Sequence, residues 1–345
     1  TGLTDRQRLA NQILSDTNLL KVDSMARATI RNGFNAGSGY SQIWARDMNT
    51  FIEIACEESD PHELREAILL FFALQQPNDE MIDGYVLKED FTWYNEKYGL
   101  LYGAMTADWG DVQPNDDFGC DMNDLSDPAI DVYDNAMFII ALDYLLEMAP
   151  DSPQASRWKS LREGIERNVR AHLWDVKRQK FIPHIYPEKS PIPEGFDELA
   201  IHYHGGTAIA IEAGLLSKDE IRTVNAQMLE NVRLSGMPSI GLTLYPVYPD
   251  GFFHGGMSKA YLYQNGGDWT WFGGRMIQQL VVNGMVEEAY AEIHPMIERV
   301  IQNDGFYEWY GKGGIPSGSG NFKGSAGVLS KAIELLRDWA EKNKS

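Results

Sequence analysis

Cysteine is nearly absent: Cys56 and Cys120 are the only two in 345 residues. That excludes a disulfide-stapled scaffold and a cysteine-built metal cluster. Cys56 falls in an apolar helical run, where a small buried thiol is expected. Basic residues are also scarce, with 30 Lys+Arg against 50 Asp+Glu and a formal net charge of −20. A field of that sign repels phosphate backbones and anionic bilayers, which excludes nucleic acid and membrane surfaces as expected partners. No run of about 18 apolar residues occurs, so no membrane-spanning helix is expected. The opening Thr-Gly-Leu-Thr-Asp lacks a basic n-region and an apolar h-region. Such a start is compatible with a cytosolic protein or with one trimmed of its signal. P-loop and Gly-x-Gly-x-x-Gly signatures are missing, so no nucleotide cofactor is expected. A Gly-x-Ser-x-Gly elbow is missing too, which removes the usual frame for Ser-His-Asp hydrolysis. With no Pro/Ser-rich linker or low-complexity tract, residues 1–345 read as one domain.

What the chain does have is a large apolar fraction, 43%, enough for an extensive core. Apolar residues at i, i+3, i+4 spacing predict helices over 4–32 (broken around Asp23), 45–58, 61–76, 130–148, 153–172, 198–213, 218–233, 270–283, 285–302 and 324–342. Thr4-Asp5, Asp60-Pro61 and the capping box Ser217-x-x-Glu220 mark starts, and Gly214 and Asn283-Gly284 mark stops. Strand signals are short, chiefly over 82–94, 180–186 and 241–248. With no fixed-period repeat and no βαβ alternation, an all-α ring of helical hairpins, the α/α toroid, is the expected fold.

The long connections carry the chemistry. Nine Trp and 16 Tyr fall in patches beside Gly, Asp and Asn rather than among aliphatic residues. Sugars present flat C–H faces to aromatic rings and hydroxyl rims to such polar groups. Four blocks stand out. Trp44-Ala45-Arg46-Asp47 sets an arginine fork beside a carboxylate, suited to vicinal hydroxyls. Asp108-Trp109-Gly110-Asp111-Val112-Gln113 flanks a tryptophan with two carboxylates, and an apolar neighbour favours the protonated acid that glycoside hydrolysis needs. Gln264-Asn265-Gly266-Gly267-Asp268-Trp269-Thr270-Trp271 reads as a sugar-stacking wall with polar tips, in which Asp268 could also cap the next helix. Gly305-Phe306-Tyr307-Glu308-Trp309-Tyr310-Gly311 places Glu308 among aromatics, where a carboxylate needs a partner or a job. The later acids Asp116, Asp117, Asp121, Asp124, Asp127, Asp131 and Asp134 read as a solvated loop, since the Asp-x-Asp-x-Asp-Gly calcium pattern is not met. His202 and His204 lack a third ligand at convincing spacing, so no metal is expected.

In this order the blocks resemble the six-hairpin (α/α)6 toroid glycosidases: trehalases, glucoamylases, processing α-glucosidases and alkaline/neutral invertases. Trp44-x-Arg46-Asp47 is similar to their Trp-x-Arg-Asp motif, which contacts the terminal sugar. Asp111-Val112-Gln113 resembles the invertase Asp-Val-Gln stretch, whose Asp is the general acid. Tyr307-Glu308-Trp309-Tyr310 followed by Gly324-Ser325-Ala326-Gly327 resembles the segment that carries their general base. Asp108-Trp109-x-Asp111 also resembles the Asp-Trp-Asn-Asp of disaccharide phosphorylases, so Asp108 stays open as the acid. The resemblance implies an inverting hydrolase acting on a terminal, α-linked bond of an oligosaccharide. Trp44, Arg46, Asp47, Trp109, Gln264, Asp268, Trp269, Trp271 and Trp309 would hold the sugar. A toroid epimerase or lyase using His202, His204 or His254 as base, and a non-catalytic sugar-binding scaffold, are the rival readings. Acidic composition with sugar chemistry suits a bacterial periplasmic or secreted location, the cytoplasm also being compatible.

Overall fold

The structure is a computed structural model that describes residues 3–73, 93–115 and 122–345. Cys120, Asp116, Asp117, Asp121, the expected strand over 82–92 and the expected helical residues 74–76 lie outside them. The chain is all-α: among the described residues, eleven α-helices account for nearly all regular structure, with only two-stranded antiparallel ladders between them. They are α1 (Asp5–Ser15), α2 (Thr17–Ile30), α3 (Ala45–Glu58), α4 (Pro61–Ala73), α5 (Val132–Met148), α6 (Ala155–His172), α7 (His204–Glu212), α8 (Lys218–Ser235), α9 (Thr270–Val282), α10 (Val286–Gln302) and α11 (Lys323–Glu341). No described helix is long and apolar enough to cross a membrane.

The helix boundaries follow local hydrogen-bonding chemistry. Thr4 and Ser217 each close a capping box, with Gln7 and Glu220 respectively. Asp60 Oδ1 accepts from the backbone N–H groups of His62 (2.9 Å) and Glu63 (3.1 Å) at the start of α4. The first break falls at Asp16, not Asp23: the Asp16 carboxylate accepts from Asn18 N and Leu19 N and so starts a new helix. Asp23 stays helical and pairs with Arg27 at 3.1 Å. The helix expected over 198–213 is only half helical. Glu198–Ala200 forms a 3₁₀ turn and His202–Tyr203 pairs with Leu244–Tyr245, so α7 begins at His204.

Contacts sort the chain into two compact units. Residues 1–91 and 269–345 form the first. There α11 packs on α1, α2, α3 and α9, while α10 packs on α9 and α2 and α3 on α4. Ala10, Ile13, Leu19, Val22, Ala26 and Ile30 on α1 and α2 are fully buried, one stripe of each amphipathic pattern. The exposed face of α3 carries Cys56, which corrects the expected buried thiol. Met48, Phe51, Ile54 and Ala55 take the inward positions of that helix, and residue 56 falls outside their arc.

Residues 92–268 form the second unit. Here α5 packs on α6 and α7, and α7 contacts α8. A cluster of Met105, Ala107, Ala129, Ile201, Tyr203, Leu244, Tyr248, Phe253 and Met257 fills the space under its long connections. In both units, helices joined by short turns are neighbours: α3 with α4, α5 with α6, α7 with α8, α9 with α10.

Candidate active site

Each unit builds its own set of chemically active groups. In the first, Glu308 lies on the strand Tyr307–Tyr310, which pairs with Pro316–Gly320. Burial alternates along Tyr307–Tyr310, with Glu308 and Tyr310 inward and Tyr307 and Trp309 half-exposed. The ladder register shifts between Ser317 and Gly320, a bulge opposite Glu308. It frees the Ser319 N–H, which donates to Glu308 Oε2 at 2.8 Å. The Tyr40 hydroxyl donates to both carboxylate oxygens, at 3.0 and 3.1 Å. Gly318 sits at φ +71°, and an added Cβ would lie 2.5 Å from Glu308 Oε2, so the bulge admits only glycine here. Glu308, 4% exposed, is thus oriented by the Tyr40 hydroxyl and the Ser319 N–H. Tyr40 and Ser319 were missed in the sequence. Neither sits in a block with a compositional signal, and the bulge that aims Ser319 depends on pairing across the hairpin.

Trp44 is the N-cap residue of α3 and makes no side-chain cap bond. Arg46 lies over its ring, 5.8 Å from the centroid, and reaches Asp47 at 3.9 Å. All three side chains remain partly accessible. Trp269 and Trp271, by contrast, are 2% and 5% exposed. Trp269 meets Phe322 edge-on and Trp271 packs on Phe272. Of the tryptophans assigned to sugar contact, Trp44, Trp109 and Trp309 are the ones that keep accessible surface.

In the second unit, the turn Thr106–Asp111 presents two unlike carboxylates. Asp108 adopts φ +58° and is 1% exposed. Both its oxygens accept from Gly206 N at 3.0 Å. Burial pushes this carboxyl up to about 8, against the pull of the Gly206 and Gly205 N–H groups. Asp111 is partly exposed; its backbone N–H donates to Gln264 Oε1 at 3.3 Å and its Oδ2 accepts from Tyr263 at 3.4 Å. Its Oδ1 has no hydrogen-bond partner among the described residues. Asp108 is therefore tied to α7 from within, while Asp111 is held more loosely, by one long bond from Tyr263. Asp268 is buried and does not cap α9, where Trp269 is the N-cap residue. Its two oxygens accept from Ser239 N (2.7 Å) and Ser239 Oγ (2.8 Å).

Two of the acids expected in a solvated loop lie inside the unit. Asp131 is buried as the N-cap of α5, and burial together with nearby Asp134 raises its carboxyl. Asp134 is raised to about 6, again by burial, with His184 opposing. The hydrophobic pattern of α5 pulls its cap under the connections, which a count of acidic residues does not reveal. Asp124 is exposed as expected. Beside this group, Glu198 accepts from Tyr186 (2.7 Å) and Tyr248 (2.8 Å) and lies 2.8 Å from His184 Nδ1. Burial opposes ionisation of Glu198, but His184 and these hydrogen bonds outweigh it and hold the carboxyl below its usual range. Tyr203, bonded to Tyr248 at 2.6 Å, also donates to Thr106 O at 3.3 Å and so supports the Asp108 turn.

The three histidines of the rival reading occupy unlike places. His204 is buried, accepts from Asn231 Nδ2 at Nε2, and burial lowers it to about 3. His202 is lowered to about 4, first by burial and then by Lys180. His254 is exposed. Among the described residues, no group of acids, histidines and cysteines could hold a metal ion.

No family model and no curated protein matches the sequence. Among solved structures, the chain is similar to an uncharacterized conserved protein from Thermus thermophilus, at 17% identity and a TM-score of 0.46 over 59% of this chain and 47% of that one. It is also similar to a GH63 mannosylglycerate hydrolase from Thermus thermophilus in complex with Tris. That likeness has 16% identity and a TM-score of 0.45 over 59% of this chain and 45% of that one. The same hydrolase with glucose gives 17% identity and a TM-score of 0.44 over 61% of this chain and 45% of that one. The chain thus spans less than half the length of these proteins.

Proposed function

We propose that the protein is an inverting glycoside hydrolase of the (α/α)6 toroid class, acting on a terminal α-linked bond of an oligosaccharide. The observation that carries the reading is Glu308: a carboxylate almost fully withdrawn from water, yet held by Tyr40 and Ser319 in one fixed orientation. A general base benefits from that arrangement, because its lone pair is aimed before substrate arrives. Asp111 is assigned as general acid. Its carboxylic O–H passes the proton to the glycosidic oxygen as the C1–O bond breaks, and that bond's electrons stay with the leaving oxygen. Glu308 takes a proton from water as the water oxygen bonds to C1 on the opposite face, which inverts the anomeric centre. Asp108 acts as a positioning residue for the Asp111 turn. Trp44, Arg46, Asp47, Trp109, Gln264 and Trp309 are assigned to sugar contact, with Asp268, Trp269 and Trp271 shaping the wall behind them.

The test is a screen of α-linked disaccharides and oligosaccharides, following the anomer of the released sugar by proton NMR. Release of the inverted anomer is expected, with turnover falling by about 10²–10⁴ in Asp111→Asn and in Glu308→Gln. Full turnover in Glu308→Gln would remove the base assignment. Saccharide binding without any product would replace hydrolysis by a binding role.

A further inference from the structure

Alongside α8, the second unit carries an open surface depression of about 860 Å³ that none of the assigned residues lines. One stripe of α8 forms a wall, contributing Arg222, Gln227 and Asn231, and the segments around 178–180 and 200–202 form the rest. In a chain of net charge −20, this lining is unusual: Arg178, Lys180 and Arg222 face a single carboxylate, Glu230, which is already paired with Arg233.

Lys180 is decisive. It is 3% exposed, and its ammonium donates to the backbone carbonyls of Ile201 and of Phe181, the latter at 3.3 Å. No carboxylate among the described residues lies within ion-pair distance of it. Buried cations are ordinarily paired, because desolvation without a counter-charge is costly. Burial, helped by Arg178, lowers Lys180 to about 8 against the more distant pull of Asp175, Asp197 and Glu198, and burial together with Lys180 keeps His202 neutral. At the rim, Arg178 and Arg222 use one guanidinium nitrogen each on Asp175 and Asp219, both at 2.8 Å, and retain further donors. Gln227 lines the depression and donates from Nε2 to Arg178 O at 3.0 Å, and its Oε1 has no hydrogen-bond partner among the described residues, an acceptor in need of a donor.

We propose that this depression binds a small hydroxylated anion, a sugar phosphate or sugar acid. Lys180 with Arg178 and Arg222 meets the oxyanion, and Gln227 Oε1 accepts from a hydroxyl. Asn231, on α8, lines the depression and also bonds His204, the first residue of the helix whose Gly206 N–H donates to Asp108.

Isothermal titration calorimetry of the whole protein with glucose 6-phosphate, glucuronate, inorganic phosphate and glucose tests this. Glucose 6-phosphate or glucuronate is expected to bind, whichever is tighter revealing the oxyanion, with glucose at least tenfold weaker. Arg222→Gln, at an exposed and singly paired position, is expected to weaken binding about tenfold without moving the unfolding midpoint. Lys180→Met is expected to abolish it; should that variant unfold, Arg222→Gln carries the test. Gln227→Met is expected to erase the advantage of glucose 6-phosphate over inorganic phosphate. Binding that survives in Glu308→Gln separates this depression from the hydrolytic groups. Absence of binding by both anionic sugars, or binding indifferent to Arg222, overturns the proposal.

Discussion

Replacing Gly206 by alanine is expected to destabilise the protein, although the position lies inside a helix. In an unobstructed helix interior, Gly→Ala gains about 1 kcal/mol from backbone entropy and propensity. At Gly206 a Cβ would stand 2.7 Å from Asp108 Oδ1 and 2.8 Å from Val132 Cγ1, both inside the unit. Neither neighbour is a flexible tip: Asp108 is 1% exposed and Val132 fully buried. Overpacking of this kind costs about 1–3 kcal/mol. Displacing Asp108 also weakens the hydrogen bond from Gly206 N to a carboxyl group that is protonated at neutral pH, about 0.5–1.5 kcal/mol. Set against the propensity gain, the net loss is about 2 kcal/mol. Gly164 in α6 supplies the control, because a Cβ there meets only Arg167 Nη2 at 4.0 Å. Gly164→Ala is expected to gain about 1 kcal/mol. Urea unfolding of both variants measures the two signs together. If Gly206→Ala unfolds at the wild-type midpoint or above it, the close contact between α7 and the Asp108 turn does not govern stability and the reasoning fails.

Tyr40→Phe removes the hydroxyl that bonds both Glu308 oxygens; kcat is expected to fall about ten- to a hundredfold with KM little changed, and an unaltered kcat would show that the base is positioned otherwise. Asp108 has a folded-state value of about 8 against 3.8 for the free group, so the native state holds the extra proton between those limits. Its contribution to stability is full below about pH 4 and is lost as pH rises to about 8. Relative to wild type, Asp108→Asn should therefore become progressively more favourable from pH 5 to 8 in urea unfolding, and a parallel pair of curves would refute it. Arg27 gathers Asp23, Glu57, Glu58 and Glu334 around one guanidinium. Arg27→Gln is expected to cost about 2–4 kcal/mol. High salt should restore part of that loss by screening the abandoned carboxylates; a loss insensitive to salt would contradict the charge argument.

The helices were legible because their signals are local. Periodicity and caps placed α3 at its observed bounds, and the capping box at Ser217 starts α8 as expected. Misplacements came where a side chain chose between equivalent local options. Asp16 and Asp23 both follow helical residues, but only Asp16 turns its carboxylate onto the next two free N–H groups. The two blocks proposed to supply acid and base stand out in the sequence as carboxylates in aromatic company. Their partners do not, since Tyr40 is 268 residues from Glu308 and Gly206 is 98 from Asp108. Nothing in the spacing separates buried Asp131 from exposed Asp124, because burial there is decided by how α5 packs.

The first unit is written at both ends of the chain, with residues 92–268 between its parts. Helix α11 is the common neighbour of α1, α2 and α3, so their apolar faces wait for residues 323–341 to be translated. The second unit is contiguous and has all its partners much sooner. Assembly on the ribosome is then expected to proceed from the middle outward, with the earliest-made helices among the last to be buried. A premature stop before α11 would leave the second unit's contacts intact and strip the first of its shared packing partner. Truncation at that point is a lesion of one unit, and proteolysis of such a fragment should begin at α1 and α2 and spare residues 92–268.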